Sequence, residues 1–284
     1  MPTGTLYIVG TPIGNLDDMT LRAIRVLQDV DYIAAEDTRH TGRLLQHFQI
    51  TTPQLSYHQH NRRQRQGELI ERLQAGASLA LVSDAGMPGI SDPGSELVQA
   101  CRAAGIRVVP IPGACAAIAA LAASGLPTDE FAFIGFLPAK GRARRERLTA
   151  LSREPRTLVL YEAPHRLLTT LRDLAATCGE QRLVTLAREL TKRYEELWQG
   201  TLAAAVAAYA EREPRGEFTL VLAAAEPEPL TARSPTELKA MLQERLSSGL
   251  SRSQACRQLA AETGRSRRQL YQLALELSVE TPEA

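Results

Sequence analysis

The chain has 284 residues, enough for about two domains at ~150 residues each, and is ordinary in composition: 44% hydrophobic, 23% charged, formal net charge +1. A chain this long buries a sizeable core without staples. Its four cysteines (Cys101, Cys115, Cys178, Cys256) form no CxxC pair, which excludes a zinc ribbon, argues against a disulfide framework and points to a reducing cytosol.

The start, MPTGTLYIVG, has no basic stretch ahead of an apolar one, so no signal peptide is expected. Apolar runs at Leu6–Val9, Tyr32–Ala35, Leu79–Val82 and Ile106–Val109 predict strands covered on both faces. Between them, Leu21, Ile24 and Leu27 mark one helical stripe and Leu69, Ile70 and Leu73 another. Such alternation predicts a mostly parallel sheet with helices on both sides, and ligands at the carboxyl ends of its strands. Residues 108–128 carry no charge, but Pro110, Pro112 and Gly113 break the start and Gly125 and Pro127 the end. A buried turn and short helix are expected there, and no membrane span.

After Ser124-Gly125-Leu126-Pro127-Thr128-Asp129, strands are predicted at Phe131–Gly135, Thr157–Tyr161, Leu183–Ala187 and Phe218–Ala223. Beyond Glu226-Pro227-Glu228-Pro229 only helices are expected, with apolar positions from Leu238 to Leu277. The predicted organisation is α/β: an α/β domain over 1–124, a second over 125–226, and a helical, helix-turn-helix-like tail over 227–284. In the tail, Ser251 and Ser266 suit helix N-caps.

Charge divides unevenly. Residues 1–130 hold ten basic and thirteen acidic side chains, whereas both later regions carry a net +2. Lys140, Arg142, Arg144, Arg145 and Arg147 cluster in one run, Arg62, Arg63 and Arg65 in another, and Arg265, Arg267 and Arg268 open the last predicted helix. These patches suggest a phosphate-bearing partner. His58 and His60 would share one side of a strand, but no further ligand is spaced nearby and no metal site is expected.

Three predicted strands end in glycine-bearing loops: Gly10-Thr11-Pro12-Ile13-Gly14, Ser83–Gly94 and Pro110–Ala116. Neither GxGxxG nor GxxxxGK[ST] is present, which removes the main support for a dinucleotide or nucleoside triphosphate. Together the loops predict the floor of a ligand cleft containing Gly10, Thr11 and Pro12.

The ordered segments VGTPIGNL, EDTRHT, VSDAGMPGISDPG, PIPGACA, GFLPAK, YEAPHR, LARELTKRYEE and GEFTLVL resemble the ribosomal RNA small subunit methyltransferase I family, ribose 2′-O-methyltransferases of the tetrapyrrole-methylase fold. Met87 stands where that family usually carries threonine. The resemblance implies S-adenosylmethionine in a cleft between two α/β domains. It would meet Asp84, Ala85, Gly86, Ile90, Ala114, Cys115 and Ala116, and Leu160, Tyr161, Leu190 and Thr191 from the second domain. It further implies a cytidine in the decoding region of 16S ribosomal RNA as target, the small ribosomal subunit as partner, a homodimer and a cytoplasmic setting. Transfer to a hydroxyl requires loss of its proton. Candidate bases are Glu36, Asp37, Glu189 and Lys192; a lysine base would need a lowered pKa, and an Arg188–Glu189 ion pair is the structural alternative for that motif. RNA contacts are expected at Arg39, Lys140, Arg142, Arg144, Arg145, Arg265, Arg267 and Arg268. Two other functions share these features: C-methylation of a tetrapyrrole, and non-catalytic RNA binding in ribosome assembly.

Overall fold

The computed structural model describes residues 3–225 and 234–277. Five strands and five helices alternate in the first part: β1 (Thr5–Val9), α1 (Leu21–Asp29), β2 (Tyr32–Ala35), α2 (Thr38–His47), β3 (Gln54–Ser56), α3 (Arg62–Gln74), β4 (Leu79–Val82), α4 (Ser95–Ala103), β5 (Arg107–Ile111) and α5 (Ala116–Ala123). The strands lie in the order β3-β2-β4-β1-β5 and every pairing is parallel. Near-continuous apolar strands serve this sheet because both faces are covered. Ala23, Leu27 and Leu45 of α1 and α2 pack on one face, and Leu69, Leu73, Leu97 and Cys101 of α3 and α4 on the other. Pro110 is tolerated because β5 is an edge strand.

Of the stripe read for α1, Leu27 and Ile24 pack on the core, whereas Leu21 is 78% exposed and Ala23 takes its place. The short edge strand β3 carries no apolar run that would reveal it. His58 and His60 lie in a turn, not on a strand, and the His58 Nδ1 accepts the backbone N–H of His60 and of Asn61.

The second sheet is built from β6 (Phe131–Phe136), α6 (Gly141–Ser152), β7 (Thr157–Glu162), α7 (Pro164–Cys178), β8 (Leu183–Arg188), β9 (Glu196–Thr201), α8 (Leu202–Ala210) and β10 (Phe218–Leu222). Its order is β6-β7-β10-β8-β9, with only β6 and β7 parallel. Strand alternation divides its residues between two faces. Leu158, Leu160, Leu220 and Leu222 meet Leu148, Leu167, Leu171, Leu202 and Tyr209 of α6, α7 and α8. Val159, Ala187 and Val221 point the other way, onto Ala117, Ala120 and Leu121 of α5.

Helix α5 belongs by sequence to the first α/β region, yet its apolar face is buried on the second sheet, so residues up to Ala225 form one compact unit. The uncharged window at 108–128 is β5, a turn and this eight-residue helix, and no helix among the described residues is long and apolar enough to cross a membrane. The second unit holds α9 (Pro235–Ser247), α10 (Arg252–Thr263) and α11 (Arg267–Leu275) around Leu238, Leu242, Ala255, Leu259 and Leu270. Ser251 and Ser266 cap α10 and α11 through their hydroxyls, and Gly264 ends α10 in the left-handed conformation.

Candidate active site

Because β4, β1 and β5 are neighbours, the loops that leave their carboxyl ends meet. The Thr11 N–H donates to the Gly86 carbonyl (2.9 Å), and the Gly86 N–H returns to that of Thr11 (3.1 Å). The Thr11 hydroxyl donates to the Ser83 carbonyl at 3.2 Å. Gly10 lies directly against Gly113: a Cβ on Gly10 would fall 2.7 Å from the Gly113 Cα, and one on Gly113 would fall 2.8 Å from the Gly10 carbonyl carbon. Glycine at position 10 is therefore required by contact between two chain segments. Met87 fills the space beside it, its sulfur 2.6 Å from the same Cβ position.

Two cavities open on these loops. The larger, about 360 Å³, is walled by Ile13, Ala85, Gly86, Met87, Ile90 and Asp92, by Cys115 and Ala116 at the start of α5, and by Phe136, Tyr161, Glu162, Glu217 and Thr219 from the second sheet. The smaller, about 250 Å³, lies against Thr11, Pro12, Gly14, Ser83, Asp84 and α2. Of the cofactor contacts expected, Ala85, Gly86, Ile90, Cys115, Ala116 and Tyr161 share the larger cavity, whereas Thr11, Pro12 and Asp84 line the smaller one. The Leu160 side chain points to the opposite face of its strand, into the core over α6 and α7. Leu190 packs beside α5. Asp92, Ile13, Phe136, Glu217 and Thr219 went unassigned in the sequence, although all lie within its recognisable segments.

The larger cavity suits S-adenosylmethionine. Its floor is made of small side chains, and Gly86 takes the left-handed conformation (φ +78°) that favours glycine, where a Cβ would sit tightly, 3.3 Å from the Ile13 side chain. Cys115 and Ala116 bring the start of α5 to the cavity wall, and Cys115 provides no side-chain cap to that helix. Tyr161 accepts the Ala117 N–H at 3.2 Å; burial foremost pushes its phenol up to about 12, so it keeps its proton and can donate.

The four candidate bases differ sharply. Asp37 is held well below the carboxylate range by hydrogen bonds from the Arg39 side chain and backbone N–H. Lys192 donates to Glu189 (3.0 Å) and to Glu217 (2.9 Å). Burial opposes its charge, but these bonds prevail and its pKa rises, so the lowered value a lysine base needs is not found. Glu189 is likewise disfavoured by burial, yet the Glu217 N–H (2.9 Å) and Lys192 hold its carboxyl below the ordinary value. Its partner is thus Lys192, while Arg188 pairs with Glu196. Among the three carboxyl candidates only Glu36 is raised, by burial first and then by the charges of Asp92 and Asp84. Asp92 is raised too, mainly by burial, and the Asp37 N–H holds the Asp84 Oδ1 at 3.1 Å.

Among the basic residues, Arg144 corrects the sequence expectation. It is 7% exposed and donates to Asp173 (2.8 Å), Thr170 (2.9 Å) and the Pro138 carbonyl (3.0 Å). Thr170 in turn donates to Glu162, which also pairs with Arg166, and Arg166 reaches the Leu137 carbonyl at 2.6 Å. This network anchors the loops after β6 and β7 and is closed to RNA. Lys140, Arg142 and Arg145 are exposed, with Arg142 paired to Glu146. Arg39 is exposed but bound to Asp37. In the helical unit Arg267 and Arg268 are exposed and Arg265 is half-buried.

Comparison with known proteins accords with this arrangement. Residues 5–206 match the family model of Tetrapyrrole (Corrin/Porphyrin) Methylases, and residues 232–278 that of the RsmI C-terminal HTH domain. The ribosomal RNA small subunit methyltransferase I of Synechocystis sp. is 61% identical over 98% of this chain and 99% of its own length. That of Escherichia coli O157:H7 is 52% identical over 96% and 95%. Among solved structures, a Thermus thermophilus uroporphyrin-III C-methyltransferase complexed with S-adenosylhomocysteine aligns at TM-score 0.55 and 21% identity, covering 78% of this chain and 97% of that one. A diphthine synthase aligns at TM-score 0.60 and 15% identity, covering 78% and 90%; both likenesses concern the fold. With the two family models covering both units and curated relatives matching nearly end to end, the chain belongs to the ribosomal RNA small subunit methyltransferase I family, S-adenosylmethionine-dependent enzymes of the tetrapyrrole-methylase fold.

Proposed function

We propose that this protein transfers the methyl group of S-adenosylmethionine to the ribose 2′-hydroxyl of a cytidine in the decoding region of 16S ribosomal RNA. Small-subunit ribosomal RNA as the substrate class follows from the family. The hydroxyl as acceptor rests on one observation above all: the basicity of Glu36 is raised by burial and by the charges of Asp92 and Asp84, which line the larger and the smaller cavity respectively. A hydroxyl nucleophile needs such a group, and the other three candidates are held in ion pairs.

The bound cofactor supplies an electrophilic methyl on a sulfonium. Ala85, Gly86, Cys115, Ala116 and Tyr161 hold and orient it, Glu36 accepts the hydroxyl proton, and closeness of the two reactants supplies much of the acceleration. Exposed Lys140, Arg142 and Arg145, together with Arg267, Arg268 and Arg265 on the helical unit, supply positive charge for the RNA backbone. A homodimer in the cytoplasm completes the proposal, as does a division into cofactor-loop, cleft-completing and RNA-contacting regions at 1–124, 125–226 and 227–284.

The test is incubation with labelled S-adenosylmethionine and unmethylated small subunits. Label is expected in 16S RNA, at one cytidine whose 3′ linkage becomes resistant to alkali. Label on a base, or in uroporphyrinogen instead of RNA, would overturn the proposal. Glu36→Gln should lower kcat about 10²–10⁴-fold while S-adenosylhomocysteine still binds. Because the base works deprotonated, the rate should rise with pH through a value above 4.5, the ordinary one for glutamate, and the variant should lose that limb.

A further inference from the structure

The smaller cavity is left without an occupant by the function proposed above. We propose that it receives the base of the target nucleotide, a single pyrimidine turned out of its RNA strand, and that Asp84 reads the exocyclic amine of cytosine there. The inference rests on the methyl transfer proposed above and names the place where its acceptor sits.

Position is the first support. The cavity and the cofactor cleft are lined by successive residues of the same two loops. Thr11, Pro12 and Gly14 face the one and Ile13 the other; Ser83 and Asp84 face the one, Ala85 and Gly86 the other. A base in the smaller cavity would thus have its ribose close to both the methyl donor and the Glu36–Asp84–Asp92 carboxylates. Size is the second. At about 250 Å³ the cavity lies below the ~300–1,000 Å³ of drug-sized ligand sites, which admits one ring and not a four-ring macrocycle.

Chemistry is the third. Pro12, Leu16 and Leu44 present apolar surface to the faces of a ring, and Leu16 is 40% exposed. His40 and Arg43 stand exposed on α2 at the rim, placed for the phosphates on either side of an extruded nucleotide. Asp84, steadied by the Asp37 N–H, is an acceptor suited to the N4 amine of cytosine. Uracil would turn a carbonyl toward the same carboxylate and be repelled.

The experiment uses the full-length protein and a small-subunit RNA carrying photoreactive 5-iodocytidine at the methylated position. Irradiation should join that base to residues 11–16 or 40–44; attachment to the helical unit or to the walls of the larger cleft would overturn the proposal. Leu44→Trp, which fills the cavity from α2, should cut methyl transfer by about a hundredfold or more while S-adenosylhomocysteine affinity stays within about twofold. Transfer at the unaltered rate would overturn it. Asp84→Asn should reduce the preference for cytidine over uridine at the target by about tenfold to a hundredfold. The ratio cancels any effect of Asp84 on Glu36, and an unchanged preference would refute the role of Asp84. A failure of the methyl transfer itself is distinguishable, because the unaltered protein would then place no label in RNA.

Discussion

The two walls of the cofactor cleft are built by different physics. The wall from the first sheet is backbone against backbone: Gly10 on Gly113, and the paired amides of Thr11 and Gly86. The wall from the second sheet is held by side chains, with Arg144 and Arg166 spanning Asp173, Thr170, Glu162 and the carbonyls of Leu137 and Pro138. Backbone contact of the first kind tolerates no added methyl group but carries no charge. The second kind accepts small changes of shape, yet fails when one ionic partner is withdrawn, since the remaining groups stay buried and unpaired.

Substitutions separate the two. The largest effect is expected from Gly113→Ala, whose new methyl would lie 2.8 Å from Gly10 backbone atoms that cannot rotate away. A loss of about 3 kcal/mol in denaturant unfolding, with S-adenosylhomocysteine binding abolished in calorimetry, is the anticipated outcome. Unchanged binding would mean that the first wall yields more than its geometry suggests. Next, Arg144→Ala should cost about 2–3 kcal/mol, less than a fully buried pair because Asp173 is partly exposed. Arg144→Lys should recover only part, lacking the fork that serves three acceptors. Arg145→Ala, one position along and exposed, should stay within about 0.5 kcal/mol. Equal losses at 144 and 145 would contradict the network.

The smallest effect is expected at the rim of the second wall. Lys192→Met strips the cation from Glu189 and from Glu217, and at its partial exposure the cost should be about 1 kcal/mol or less. The pH dependence fixes the sign. Glu189 is lowered in the folded protein, so its contribution is present above 4.5 and lost as pH falls through the folded value. Without Lys192 that loss should begin at higher pH, moving the acid-unfolding midpoint upward. A midpoint that stays in place would assign the lowering to the Glu217 N–H and the Arg188 charge.

The run Lys140 to Arg147 illustrates how far a sequence can be read. Its five basic residues are alike in charge, which by itself does not distinguish Arg144 from the others. Yet Arg144 falls on the inner side of α6, with Leu148 and Leu151, while Arg142 and Arg145 look outward. Helical spacing from Leu148 back by four residues would have hinted at this. The candidate bases were similarly equal as letters. Lys192 and Glu189 were separated from Glu36 only by partners brought from elsewhere in the chain, Glu217 in one case and Asp84 and Asp92 in the other.

Local pattern was enough for the eight apolar strands, the glycine loops at their ends and the serine caps of the helical unit, because each depends on near neighbours in the chain. Burial of α5 on the second sheet, the opposite facings of Leu160 and Tyr161, the burial of Arg144 and the charge states around Glu36 and Lys192 were decided by the tertiary structure. Each depends on which distant segment supplies the neighbouring atoms, and therefore on how much water is excluded and which charges remain within reach.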